Sequence, residues 1–176
     1  MITIIAATNR AGSMTLRVAK EISLFLKNTT NKKIKLLNLA DVDFNKLNSP
    51  PYQSTSSYAN STREEYLIPA QQLIFVVPEY NGSFPGILKY FIDLVSTTDF
   101  NKTFPGKTAA LIGVAQGQAG NLRGLTHLAA VLMHMEVHVI PKSLPVSLIN
   151  SQFNNEGKLI SATKNRIRNY LQTINK

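Results

Sequence analysis

Three short stretches carry residues that add little to a hydrophobic core but are equipped to hold a ligand. They are ATNRAGSMTLR (7–17), PEYNGSFPG (78–86) and AQGQAGNLRG (115–124). The first brings together Thr8, Ser13 and Thr15, with Gly12 and Arg10, just before a helical pattern begins. Free backbone N–H groups and the positive end of a helix favour an anion there, and Arg10 and the hydroxyls can donate charge-assisted hydrogen bonds to phosphate oxygens. The plainer alternative is a capped helix with an exposed arginine. The second stretch, opening with Pro78 and Glu79, has Asn81-Gly82 and Pro85-Gly86 as turn formers. An irregular loop of that kind exposes main-chain N–H groups, and Tyr80 sets a flat aromatic surface beside the Asn81 amide. A planar heterocycle whose edge bears carbonyls and ring nitrogens suits both features. In the third, Gly117 and Gly120 allow backbone to approach a flat ring closely, with Gln116 and Gln118 polar beside them.

Each stretch follows a short apolar run, and these runs alternate with helical spacing along the chain. ITIIAA (2–7), IKLLNL (34–39), LIFVV (73–77), AALIGVA (109–115) and VHVI (137–140) read as strands buried on both faces. Between them, Leu16, Ala19, Ile22 and Leu26 recur at three- and four-residue steps, with Ser13 as N-cap. So do Ile87, Leu88, Phe91, Ile92 and Val95, and at the end Ile160, Ile167, Leu171 and Ile174. Helices over about 62–72 and 121–135 complete the set. Five βα units predict an α/β fold, a flavodoxin-like three-layer sandwich whose five-stranded parallel sheet has the order 2-1-3-4-5 with helices on both faces. In such a sheet a ligand binds at the carboxyl ends of the strands, where the three stretches fall. NSPPYQSTSSYANST (48–62) reads as a long surface loop. A chain of 176 residues without an internal repeat is expected to be a single domain, 1–176.

Composition narrows the chemistry. Hydrophobic content of 44% and charged content of 16% are ordinary for a globular chain. The absence of cysteine excludes disulfides, thiolate metal sites and dithiol relays, so any redox chemistry falls to a cofactor. No apolar run approaches the length of a membrane span, and MITIIAATNR reads as a buried strand rather than an export signal, so a cytoplasmic protein without membrane contact is expected. Nineteen Lys and Arg against ten Asp and Glu give +9, which favours phosphorylated ligands. The basic residues are scattered and not interleaved with stacking aromatics, which weighs against nucleic acid. His127, His134 and His138 do not make a metal site, because position 138 falls in the fifth strand and no carboxylate pair completes one. The tetrapeptide PGKT at 105–108 precedes a strand and lacks the leading glycine of a P-loop, and no G-x-G-x-x-G occurs.

PEYNGSFPGILKYFID (78–93) resembles, nearly residue for residue, the flavin-ring motif of the NADPH-dependent FMN reductase family, flavodoxin-like proteins that include quinone, azo-dye and chromate reductases. TNRAGSMT resembles that family's phosphate loop, and GVAQGQAGNLRG its third flavin loop. The resemblance implies that Arg10, Ser13 and Thr15 hold the FMN phosphate, with Thr8 at the loop's entrance. Pro78, Glu79, Tyr80, Asn81 and Gly82 would run along the isoalloxazine edge, with Gln116, Gly117 and Gly120 at the third loop. Two departures stand out: Ala7-Thr8 replaces the usual Gly-Ser, and the third loop has Gln118, Ala119 and Asn121 where the family is richer in glycine.

The resemblance further implies NADPH or NADH as co-substrate, a small-molecule electron acceptor (quinone, azo compound, metal oxyanion or free flavin), and a homodimer or homotetramer. Two other readings stay open: a flavodoxin-type electron carrier without a hydride donor, and a non-enzymatic module binding nucleotides or nucleic acid.

Overall fold

A computed structural model describes residues 1–48 and 56–173. The four longer strands are β1 (Ile2–Ala6), β2 (Ile34–Asn38) at one edge, β3 (Gln72–Pro78) and β4 (Thr108–Val114). β1, β3 and β4 are nearly continuous runs of apolar residues because both faces of the sheet are covered there, whereas the edge strand β2 is mostly half-buried. Along β3, Leu73, Phe75 and Val77 enter one core and Ile74 and Val76 the other, as the two-residue period of a strand requires.

On one face lie α1 (Met14–Thr29) and α7 (Ser161–Gln172), which press Val18, Ile22, Ile167 and Leu171 against Ile4, Ile74 and Ile112. On the other, Leu67, then Leu88, Phe91 and Ile92 of α4 (Gly86–Val95) and Leu125 and Leu128 of α6 (Leu122–His134) cover Phe75 and Leu111. All strand pairs are parallel and the order is β2-β1-β3-β4-β5, as the sequence predicts. Among the described residues no helix is long and apolar enough to cross a membrane.

Two details differ from expectation. The fifth strand is split: β5 (His138–Val139) pairs with Thr108 and Ala109, and a further strand, β6 (Leu144–Val146), pairs with Ile112 to Val114 on the same edge. The chain bends at Pro141 and Lys142, where the proline ring fixes φ, and leaves the ladder after the Ile140 amide has bonded the Ala109 carbonyl. The Leu111 amide, facing the gap, donates instead to the Tyr170 hydroxyl on α7 at 2.9 Å.

The second helix lies at 57–67, not about 62–72. It starts as α3 (Ser57–Thr62), with Ser56 Oγ accepting from the Ala59 amide at 3.0 Å, and ends in a π-wound turn, Arg63–Leu67. The serine-rich run thus supplies an N-cap where the sequence suggested only loop. Of the expected 48–62 loop, residues 49–55 lie outside the described residues, as does Ile174. Short helices α2 (Phe44–Leu47) and α5 (Phe100–Thr103) complete the set.

The lysine of the PGKT stretch has a structural task. Lys107 is 7% exposed, and its Nζ donates to the carbonyls of Ile68 and Ala70 at 3.1 and 2.5 Å, at the end of the 57–67 helix. Burial holds its pKa below the ordinary lysine value. Lys107→Met strands both carbonyls and should cost about 1.5 kcal/mol at neutral pH, read by urea unfolding. Because the folded pKa is lowered, the unfolded chain binds more protons between the two pKa values, so wild-type stability rises with pH across that window. The gap between wild type and Lys107→Met should therefore widen toward alkaline pH; a gap that stays constant would contradict the assignment.

Candidate functional site

The carboxyl ends of β1, β3 and β4 open into a cleft of about 940 Å³. Of the residues that the resemblance assigns to the cofactor, Thr8, Arg10, Ser13, Thr15, Pro78 to Gly82, Gln116 and Gly117 line it and Gly120 does not. The first wall is the loop from β1 into α1. Ala7 stays pinned to the sheet through its amide and the Val76 carbonyl at 2.9 Å, after which the chain turns at Gly12, φ +63°. Ser13 caps α1, its Oγ accepting from the Leu16 amide at 3.1 Å, while its carbonyl accepts from Arg17 at 3.2 Å. A hydroxyl that accepts in this way still has its own proton to donate. The amides of Met14 and Thr15, in the first turn, have no partner within the helix. Arg10 is exposed at the rim.

The second wall is the loop after β3. Tyr80 and Ser83 exchange both backbone hydrogen bonds, at 2.9 and 3.0 Å, around Asn81 and Gly82 with φ of +50° and +77°. Positive φ at both central residues defines the tight two-residue turn that Asn-Gly favours. The amides of Asn81 and Gly82 lie outside the turn's own pair of bonds. Tyr80 stands 38% exposed, and its hydroxyl is 2.7 Å from Thr8 Oγ1, which also accepts from the Arg10 amide at 3.2 Å. Thr8, 1% exposed, therefore joins the first wall to the second.

The third wall runs from Val114 to Gly117, with Ile149 and Asn150 beside it. Gly120 is not among the lining residues: its φ is +58°, and a Cβ there would sit 2.6 Å from the Pro145 Cβ. Its missing side chain accommodates β6, behind the cleft.

Sequence reading missed four features. Arg17 lines the cleft, its guanidinium 4.0 Å above the Phe153 ring and donating to the Gly157 carbonyl at 2.9 Å. Its position one turn after Ser13 was the available signal. The charged side chains of the lining are thus Arg10 and Arg17 against Glu79. His127 Nδ1 lies 3.0 Å from Ser83 Oγ, tying α6 to the second wall. Asn121 is fully buried and its Nδ2 donates to the carbonyls of Val77 and Pro78 at 3.1 and 2.9 Å. Gly124 sits so close to the second wall that a Cβ would be 2.6 Å from the Ser83 carbonyl carbon. These last three depend on contacts between segments about forty residues apart, which no local spacing announces.

Residues 1–150 match the family described as NADPH-dependent FMN reductase. The chain belongs to that family. Membership makes this FMN reductase homologue an oxidoreductase, and the family's description carries its two nucleotides, FMN and NADPH. An NAD(P)H-dependent FMN reductase of Pseudomonas aeruginosa is 33% identical over 112 residues, 62% of this chain and 60% of that protein's length. A 2-hydroxy-1,4-benzoquinone reductase of a Burkholderia species is 27% identical over 173 residues, covering 92% of this chain and 93% of its own.

Among solved structures, the NAD(P)H:acceptor oxidoreductase FerB of Paracoccus denitrificans superposes with a TM-score of 0.76 at 18% identity, covering 99% of this chain and 96% of its own. A flavodoxin of Fusobacterium nucleatum bound to flavin mononucleotide gives 0.56 at 19% identity, covering 99% and 96%. These two likenesses establish the shared flavodoxin-like fold.

Proposed function

We propose that the whole chain is one FMN-binding domain, that its cleft holds FMN, and that the enzyme passes electrons from NADPH or NADH to a quinone. The observation that carries this reading is the donor set of the cleft. One end gathers hydroxyls, two guanidinium groups and a helix N-terminus, and the other offers an aromatic face with turn amides beside it. That division suits a ligand with a dianionic phosphate at one end and a flat, polar-edged ring at the other.

Arg10, Ser13 and Thr15, with the first-turn amides of α1, would bind the phosphate, and Arg17 adds a second cation held rigid by Phe153 and Gly157. Pro78 to Gly82 would run along the ring edge, with the Asn81 side chain and the two turn amides as donors. Gln116 and Gly117 would close the opposite side. When bound, FMN supplies the redox chemistry, taking two electrons and a proton as hydride from the nicotinamide and returning electrons to the acceptor. The chain's own part is alignment: it holds the ring edge against fixed donors that favour negative charge and leaves one side of the cleft open to the two substrates in turn. No side chain is required as an acid or base. Among acceptors, quinones are favoured by the Burkholderia relative, which aligns over nearly its full length.

We also propose a homodimer or homotetramer in the cytoplasm, where reduced nicotinamide nucleotides are available. Leu122 and Met133, 52% and 59% exposed, stand three turns apart on one face of α6, the helix that carries His127 to the second wall. That apolar face suits a subunit contact beside the cleft.

Anaerobic titration of the FMN-loaded protein with NADPH, and separately NADH, tests the reading. Bleaching of the flavin band followed by its return on adding benzoquinone is the expected result. Flavin that neither nucleotide bleaches would leave a carrier, and bleaching without recovery would remove the quinone.

A further inference from the structure

Asn121 lies in the third loop, which the resemblance marks as poorer in glycine than usual, and its side chain has a task. Its backbone has φ +67°, a conformation glycine adopts freely and asparagine better than most residues with a side chain. Retaining a side chain here therefore needs a reason, and the contacts supply one. Asn121 is 0% exposed, and Nδ2 spends both its protons on the last carbonyls of β3, Val77 at 3.1 Å and Pro78 at 2.9 Å. The amide can face only this way, because turning it over would set Oδ1 against two carbonyl oxygens. Oδ1 is left buried without a partner, a cost the fold accepts to keep the two donors in place.

The two carbonyls it holds end the strand immediately before Glu79 and the Tyr80–Ser83 turn. β3 has little else to fix it there. The ladder to β4 ends at Pro78 with Val114, and the Glu79 amide reaches the Val114 carbonyl at a long 3.3 Å. Gly124, one turn into α6, leaves the room that the amide occupies: a Cβ there would lie 2.2 Å from Oδ1. The third loop thus reaches behind the sheet and grips the root of the second.

We infer that Asn121 is a positioning residue for the ring-binding loop, holding the carbonyls of Val77 and Pro78 so that the amides and side chains of Pro78 to Gly82 are aligned before a flavin arrives. The inference rests on the FMN reading above. It explains how a third loop poor in glycine still serves the site: contact with the ring is exchanged for a grip on the loop that carries the ring's donors. Such alignment in advance lowers the ordering cost of binding and raises affinity without any contact to the ligand.

Two variants test it. Asn121→Gly keeps the backbone conformation and removes both hydrogen bonds, and Asn121→Asp keeps the shape but sets an acceptor against the two carbonyls. In the flavin-free protein, hydrogen exchange at the Tyr80 and Ser83 amides should quicken about tenfold in Asn121→Gly. Its dissociation constants for FMN and for riboflavin should rise by the same factor, about tenfold, because the phosphate end is untouched. The reduction potential of bound FMN should shift as well, since the ring's donors are realigned. Asn121→Asp should be worse on each count, and if it does not fold the glycine variant decides. Unchanged exchange, affinity and potential in Asn121→Gly, with wild type binding FMN normally, would overturn the inference and leave the FMN reading intact. Failure of wild type to bind flavin would remove the FMN reading, while exchange at Tyr80 and Ser83 would still show whether Asn121 grips the loop.

Discussion

Gly124→Ala is expected to lower stability by about 3 kcal/mol and to release flavin, although Gly124 does not line the cleft. The added Cβ would fall 2.2 Å from Asn121 Oδ1, 2.6 Å from the Ser83 carbonyl carbon and 2.8 Å from the Phe84 nitrogen. Two of these are backbone atoms of the second wall, so no rotamer change relieves the contact. Either α6 moves away from the sheet, losing the packing of Leu125 and Leu128, or the 80–84 turn moves and its donors are misplaced. For a chain of this size the loss corresponds to a thermal midpoint lower by roughly 9 °C. Gly86→Ala is the matched control, because a Cβ at that helical position meets nothing within 4 Å. Equal midpoints for the two alanine variants would mean that the α6 contact is not tight.

Arg10→Ala should raise the FMN dissociation constant about 30-fold, the equivalent of a charge-assisted hydrogen bond near 2 kcal/mol, while leaving riboflavin affinity unchanged. Arg10 suits this test because it is exposed and bonds to Thr8 through its backbone amide, not its guanidinium. Ser13→Ala mixes two effects, since losing the α1 cap costs about 1 kcal/mol of stability by itself. Arg17→Ala likewise disturbs Phe153 and Gly157. A parallel loss of riboflavin affinity in Arg10→Ala would place the arginine at the ring rather than at the phosphate.

The sheet was legible because a buried parallel strand leaves a continuous apolar run, and β1 to β4 do so within a residue or two of their ends. The two local devices at the cleft were legible for the same kind of reason. Ser13 precedes an apolar helical period, and Asn81-Gly82 names its own turn. The 57–67 helix was displaced in the reading because Ser56 to Thr62 look like loop to a local rule, while the cap and the burial of Ala59 and Leu67 make them helix. The split of the fifth strand has no counterpart in a local apolar run, and the Tyr170 hydroxyl that takes the Leu111 amide comes from the far end of the chain.

At the site, the residues that would touch a ligand were visible as odd residues in loops. Those that hold the loops to one another were not. Thr8 with Tyr80, Ser83 with His127, and Asn121 with the carbonyls of Val77 and Pro78 are contacts made by otherwise ordinary side chains. His127 was considered for a metal and instead supports the second wall; Asn121 was noted as a departure from the family and proves to be a clamp between two loops. At Gly120, the close approach that glycine permits is to Pro145.

The most direct test of the FMN site is an equilibrium titration of the flavin-free protein with FMN and with riboflavin, followed by flavin fluorescence, with inorganic phosphate as competitor. The account predicts uptake of one FMN per chain, far weaker binding of riboflavin, and competition by phosphate against FMN alone. Equal affinity for the two flavins, or no uptake of either, would contradict a cleft that holds phosphate at the start of α1 and the ring along Pro78 to Gly82.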